Sequence, residues 1–318
     1  MRTELFSRSK YRDEADPGDD VPLLIPGRVY GVFDGATDPR GTRVNGVTTG
    51  RLAALAVAAE VAALAQEPGV DAMDGREIIR RLEAVLRREF DDTDLPIPPS
   101  TTAAFVLDCG ENWRFLLLGD TGLRLNATEV FRDSKLIDTV ATIARVAAFK
   151  ALRNRIEDAH ETELGARTCI LLGFDNAVEK GLLSGTEVSN IIDLVLRKTD
   201  LFAHAEIVRA FLWGGIQTQH RFGNAEGNPL CFDTLNGTES KLTELLDVTR
   251  SKSDVASIEL FTDGYEALAD QPTVESWEAS FAKTEADDFH RVDRFANVKG
   301  STSTQWFDDR SVIVLKAR

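Results

Sequence analysis

Cysteine and histidine are both scarce in this chain. Three cysteines in 318 residues, Cys109, Cys169 and Cys231, lie far apart with no Cys-x-x-Cys spacing. That argues against a zinc or disulfide framework and leaves reduced core thiols, as expected of a cytosolic protein. The four histidines, His160, His204, His220 and His290, show no metal-ligand spacing either. Basic charge is outweighed: 37 Lys and Arg stand against 52 Asp and Glu, a net charge of −15. Nucleic acid and anionic membranes are therefore not expected as partners. No apolar run is long enough to span a bilayer; the most apolar, Leu52 to Ala65, is alanine-rich and interrupted by Glu60. The first twenty residues are charged throughout and lack the apolar stretch of a signal peptide. A cytoplasmic location is expected.

With 43% hydrophobic and 28% charged residues, the chain can bury a large core. No repeat, low-complexity tract or long linker marks a boundary, so one domain is expected over 1–318, with an expanded helical region at about 134–220. Residues 2–9 read as an edge strand. The acid-dense segment Lys10 to Asp20 reads for the most part as a solvated loop. Helices are expected over Thr49–Gln66 and Arg76–Phe90; the second carries Ile78, Ile79, Leu82, Val85, Leu86 and Phe90 on one face. Strands are expected over Ser100–Asp108, Asn112–Asp120 and Leu230–Leu235, the last ending in the hairpin signal Asn236-Gly237. Two further helical stretches are expected over Val274–Lys283 and Asp287–Asn297. Trp213 to His220 reads equally as a binding loop or a tight packed corner.

Carboxylates recur where strands end. Val29, Tyr30, Val32 and Phe33 lead into Asp34-Gly35, and Ala256–Thr262 leads into Asp263-Gly264. Asp120 ends the strand Asn112–Asp120, where Gly119-Asp120-Thr121-Gly122 turns, and Asp308-Asp309 precede the strand Ser311–Lys316. Asp-Gly alone is a common turn pair. Four acids in one kind of place are another matter, because clustered carboxylates repel and take up protons unless cations intervene. All-oxygen ligation favours magnesium or manganese over zinc. Two such ions, about 3.5–4 Å apart, clamp a phosphoryl group and hold a hydroxide for in-line attack.

In order along the chain stand Val29–Gly35, Pro99-Ser100-Thr101-Thr102-Ala103, Leu118-Gly119-Asp120-Thr121, Phe261-Thr262-Asp263-Gly264 and Asp308-Asp309-Arg310-Ser311-Val312-Ile313-Val314. This ordered set resembles the type 2C metal-dependent protein serine/threonine phosphatases, as a divergent member similar to the bacterial ones. The resemblance implies an α+β fold: a four-layer αββα sandwich of two mainly antiparallel sheets flanked by helix pairs. It implies hydrolysis of phosphoserine and phosphothreonine in proteins by a hydroxide bridging two metal ions, with two or three Mn2+ or Mg2+ bound. Asp34 and the Gly35 carbonyl, Asp263 and Asp308 resemble the direct ligands, and Asp120 resembles the acid of a third, weaker site. The family's N-terminal motif, an Arg shortly before Asn/Glu-Glu-Asp, has as its nearest matches Lys10 before Asp13-Glu14-Ala15, or Arg8 before Arg12-Asp13. These make Glu14 an outer-shell metal group and Arg8 or Arg12 the phosphate contact.

Two departures stand out. Asp309 replaces the family's usual Asn, and Ala36-Thr37-Asp38 follows Asp34-Gly35 where many members have His or Met before Gly-Gly. No histidine is therefore ready there as a general acid. The alternative implied is a catalytically degenerate member that binds phosphoproteins or regulates without turnover. A haloacid-dehalogenase-like phosphatase needs Asp-x-Asp, and Asp34-Gly35-Ala36 supplies one acid only.

Overall fold

Short runs of β-branched and aromatic residues become strands in the computed structural model, which describes residues 1–241, 243 and 245–317. In chain order its elements are β1 (Arg2–Arg8), β2 (Val21–Ile25), β3 (Val29–Gly35), β4 (Arg43–Val44), β5 (Val47–Thr48), α1 (Thr49–Leu64), α2 (Gly75–Phe90), β6 (Thr101–Cys109), β7 (Asn112–Leu118), β8 (Gly122–Leu125) and β9 (Glu129–Phe131). There follow α3 (Leu136–Arg153), α4 (Ala159–Leu171), α5 (Gly173–Glu179), α6 (Gly185–Thr199), α7 (Ala205–Gly214), β10 (Leu246–Ser251), β11 (Ser257–Phe261), α8 (Val274–Asp287) and β12 (Arg310–Lys316). The chain forms two compact units: Met1–Ser134 with Phe232–Lys283 and Asp309–Arg318, and Lys135–Cys231 with Thr284–Asp308.

The first unit is an α+β sandwich. Two five-stranded sheets have the orders β1-β12-β11-β8-β9 and β10-β7-β6-β3-β2, and their pairings are antiparallel. The strand period of two divides β3 between two cores. Tyr30 and Val32 join Ala104, Val106, Phe115 and Leu117 against Leu123, Ile258, Leu260, Ile313 and Leu315 of the other sheet. Val29 and Phe33 face the opposite way, onto Ala53, Val57 and Val61 of α1 and Ile78, Leu82 and Leu86 of α2. The outer face of the other sheet is covered by α8, where Trp277 is fully buried, its ring centroid 4.7 Å from that of Phe261. Its indole Nε1 donates to Glu259 Oε2 at 2.8 Å, and Arg124 pairs with the same carboxylate.

Three stretches differ from the sequence reading. Residues 230–235 carry isolated bridges, among them Leu235 with Thr101, rather than a strand. The expected hairpin at Asn236-Gly237 is not made, because both backbone amides donate to Glu83 Oε2 of α2 instead. Residues 288–297 are not helical: the Asp288 carboxylate accepts from the amides of Val292, Asp293 and Phe295 at 2.9, 2.9 and 3.0 Å and organises a loop. In the segment Lys10 to Asp20, Asp13 and Glu14 are exposed as expected, but Lys10, Asp19 and Asp20 are buried.

The second unit is helical, with Ile137, Val140, Ala144 and Ala148 of α3 and Val188, Ile191, Ile192 and Val195 of α6 buried. Buried Arg145 ties α3 to α4 through Glu163, and its Nε donates to the Asn297 carbonyl at 2.7 Å. Trp213 to His220 is a packed corner. A Cβ on Gly173 would come within 2.1 Å of the Trp213 carbonyl, and Gln217 Nε2 donates to the Leu172 carbonyl at 2.9 Å.

The start of α6 carries a capping box: Ser184 accepts from the Glu187 amide, and Glu187 accepts from the Ser184 amide at 2.7 Å. Hydrogen bonds from Arg155 and then from Ser184 lower the Glu187 carboxyl to about 2. A depressed carboxyl contributes stability above its unfolded value and loses it as pH falls through the folded one. Carbon-detected NMR titration should give Glu187 a midpoint near 2, and Arg155→Ala should return it towards the ordinary glutamate value.

Candidate functional site at the acid end of the sandwich

Strand register brings the acids together. Val21 lies opposite Phe33, so Asp20, just before β2, stands level with Asp34 near the end of β3. Asp34 is opposite Thr102, and Ala103 is opposite Leu118, so Asp120 after β7 reaches the same end. In the other sheet Phe261 is opposite both Val312 and Gly122, which places Asp263 and Asp309 at one end and leads back to Asp120. Arg8 is opposite Arg310, so Lys10, two residues past β1, arrives there too. Thr262 joins the sheet ends: its hydroxyl donates to Asp20 Oδ2 at 2.7 Å and accepts from the Ser311 amide at 2.9 Å.

The glycines of both Asp-Gly pairs allow close packing: Asp34-Gly35 continues β3, whereas Asp263-Gly264 also forms a turn after β11. β3 runs through Asp34 to Gly35, where a Cβ would sit 2.3 Å from the Gly50 carbonyl oxygen at the start of α1. A Cβ on Gly264 would sit 1.9 Å from the Asp309 carbonyl oxygen. Only glycine allows these backbones to meet. Asp34, Asp120 and Asp263 are half-buried; the Asp34 carbonyl accepts from Thr101 Oγ1 at 2.7 Å.

At the centre lies a buried ammonium. Lys10 Nζ donates to Asp19 Oδ2 at 2.9 Å, Thr37 Oγ1 at 2.9 Å and Asp309 Oδ2 at 3.1 Å. The Lys10 amide donates to Asp309 Oδ1 at 2.6 Å and the Asp19 amide to Asp309 Oδ2 at 3.0 Å. Thr48 Oγ1 donates to Asp19 Oδ1 at 2.5 Å, and Thr37 Oγ1 reaches Asp19 Oδ2 at 3.1 Å. Burial alone would raise the Asp19 carboxyl; the Lys10 charge and these hydrogen bonds outweigh it and hold Asp19 below the usual carboxylate range. Asp20 goes the other way. Burial and the charge of Asp309, with a smaller contribution from Asp263, push it well above the usual range against the hydrogen bonds of Thr262 and Ser311. At the rim, burial and the charges of Asp120 and Asp233 raise Asp133.

Sequence reasoning did not single out Lys10 as a cation, nor Asp19 and Asp20. A signal was present: Asp19-Asp20 precede the apolar run Val21–Ile25 just as Asp308-Asp309 precede β12. Of the N-terminal candidates, Arg8 and Glu14 pair with each other at 2.8 Å on an exposed surface, and Arg12 is half-buried in the same loop. Asp308 belongs to the second unit, where its Oδ2 is 2.7 Å from Lys299 Nζ.

Hard oxygen donors dominate the acid end, the chemistry that suits magnesium or manganese. As the side chains stand, they do not fit a metal ion. Among the described residues no group of three or more His, Cys, Asp or Glu is placed to hold one. Asp19 and Asp309 already share the Lys10 ammonium.

No protein-family model matches the chain, and no curated protein matches it. Solved structures of similar fold are bacterial serine/threonine phosphatases. One, a bacterial serine phosphatase, is 11% identical with a TM-score of 0.49, over 100% of this chain and 98% of that one. Stp1 from Staphylococcus aureus is 10% identical at a TM-score of 0.49, over 100% and 95%. The catalytic domain of PstP in complex with two manganese ions is 16% identical at a TM-score of 0.47, over 98% and 96%.

Removing one member of a buried ion pair leaves the other charge uncompensated, at a cost of about 3–5 kcal/mol. Lys10→Met, which leaves the buried Asp19 and Asp309 carboxylates without their cation, should therefore lower unfolding stability by about that amount in urea with chelator at pH 7, whereas Glu14→Gln, on the exposed pair with Arg8, should change it by about 0.5 kcal/mol or less. Equal effects would contradict the placement of the two pairs.

Proposed function

We propose that this chain is a phosphatase-type domain acting on phosphoserine and phosphothreonine in proteins, with its reaction centre at the acid end. The observation that supports this reading is the convergence, by strand register, of Asp20, Asp34, Asp120, Asp263 and Asp309 at one end of the sandwich. In this reading residues 1–318 act as one domain, with 134–220 as a helical expansion, and the partner is a phosphoprotein. The net charge of −15 disfavours nucleic acid and anionic membranes as partners. Among the described residues no helix is long and apolar enough to cross a membrane.

A phosphate dianion does not approach uncompensated carboxylates. Hydrolysis at this end therefore requires added hard divalent cations, two or three Mn2+ or Mg2+ in the reading proposed here. Asp34, the Gly35 carbonyl, Asp263 and Asp120 are the groups assigned to them. No bond-making step is assigned to an ion, because these groups do not form a metal site as they stand. Asp308 and Asp309 are ion-paired to Lys299 and Lys10 and receive no such assignment.

A second reading has its own support: the acid end already contains a cation, Lys10 Nζ. In that reading the domain binds phosphoproteins or regulates without turnover.

Hydrolysis of p-nitrophenyl phosphate and of a phosphothreonine peptide separates the two. The first reading expects turnover with Mn2+ or Mg2+ that chelation abolishes and that falls at least about a hundredfold in Asp34→Asn and Asp263→Asn. Folded protein without turnover across several divalent ions and both substrates would overturn it in favour of the second.

A further inference from the structure

Lysine is rarely buried unless its three donors and its charge are both satisfied. Here the Lys10 side chain is 7% exposed, and the side chains of Asp19 and Asp309 are 4% exposed each. Asp19 Oδ2, Thr37 Oγ1 and Asp309 Oδ2 accept from Nζ at 2.9, 2.9 and 3.1 Å. Main-chain amides of Lys10 and Asp19 hold the two oxygens of Asp309. Gly18, at φ +76°, lies so close that a Cβ there would come within 2.2 Å of Asp309 Oδ1. Backbone amides thus fix the Asp309 carboxylate, the hydroxyls of Thr48 and Thr37 fix that of Asp19, and one oxygen of each meets the ammonium.

Both carboxylates contact the same buried atom, and two buried acids that share one site do not stay ionised together without a positive charge between them. Hydroxyl and carboxylate oxygens that converge in this way are also what a hard divalent cation takes. We propose that Lys10 is the built-in cation of the acid end. Its ammonium occupies a latent divalent-cation site formed by Asp19, Asp309 and Thr37, so that wild-type protein needs no metal at this point, and removal of the lysine side chain opens the site to Mn2+ or Mg2+. The inference concerns this one position. It does not depend on the hydrolytic reading, because an ion held by Asp34 or Asp263 would be present in wild type and variant alike.

The test counts bound Mn2+ by isothermal titration and follows thermal unfolding, in wild type, Lys10→Ala and Lys10→Ala/Asp309→Asn. The expected result is one more Mn2+ per chain in Lys10→Ala than in wild type. That extra ion should raise its melting temperature by about 5 °C or more at a hundredfold excess over Kd. The double variant, with one carboxylate neutralised, should fold without metal and lose the extra ion. If Lys10→Ala unfolds without metal, recovery of the fold by Mn2+ with one ion more per chain than wild type binds supports the proposal, and recovery with the same number overturns it. A folded Lys10→Ala that binds the same number of ions as wild type overturns it. So does an unfolded Lys10→Ala that Mn2+ does not recover. Because the readout is binding and folding, inactivity of every protein towards phosphosubstrates would bear on the proposed function and leave this count intact.

Discussion

The clasp of Lys10 on Asp19 and Asp309 is the interaction on which the acid end depends. It ties the segment after β1 to the start of β2 and to the start of β12, positions that belong to different sheets. The sandwich core fixes the strands but not the charges at their ends. Five acids brought to one place by register repel one another, and burial makes the repulsion stronger. The molecule meets this with three devices: an ammonium between Asp19 and Asp309, hydroxyls from Thr37, Thr48 and Thr262, and the displacement of Asp20 towards its protonated form.

The layered core was legible in the sequence because its signals are local and repeated. Alternating apolar residues in β3 and β6, and the one-sided pattern of α2, name the faces that now pack together. Strand-end acids were legible for the same reason, since Asp34, Asp120 and Asp263 each follow an apolar run. What could not be read was pairing over long separations. Lys10 and Asp309 are 299 positions apart, and no local pattern says that an ammonium in a loop rich in acids will be carried inside by one of them together with Asp309. The missed elements have the same origin. Asn236-Gly237 has hairpin chemistry, yet its amides are taken by Glu83 of α2, and residues 288–297 have helical composition, yet Asp288 captures three of their amides.

The glycines of the two Asp-Gly pairs do more than a turn signal says. Asp263-Gly264 forms a turn after β11, whereas Asp34-Gly35 continues β3. Gly35 lets the start of α1 touch the end of β3, and Gly264 lets the Asp309 backbone touch the end of β11. Each contact fixes the position of the acid beside it, so the aspartates at the acid end are held by main-chain packing. Their rigidity belongs to the fold, whereas the cation they face is a matter of side-chain identity. A phosphatase-type reading and a non-catalytic reading share this scaffold and differ in whether divalent ions at Asp34, Asp120 and Asp263 support turnover.

The most direct measurement is diffraction from crystals grown with excess Mn2+, with anomalous data collected at the manganese edge. The account predicts Lys10 Nζ between Asp19 and Asp309 and no manganese peak at that point, whatever ions bind near Asp34 or Asp263. A manganese peak between Asp19 and Asp309, with the Lys10 side chain displaced, would contradict it.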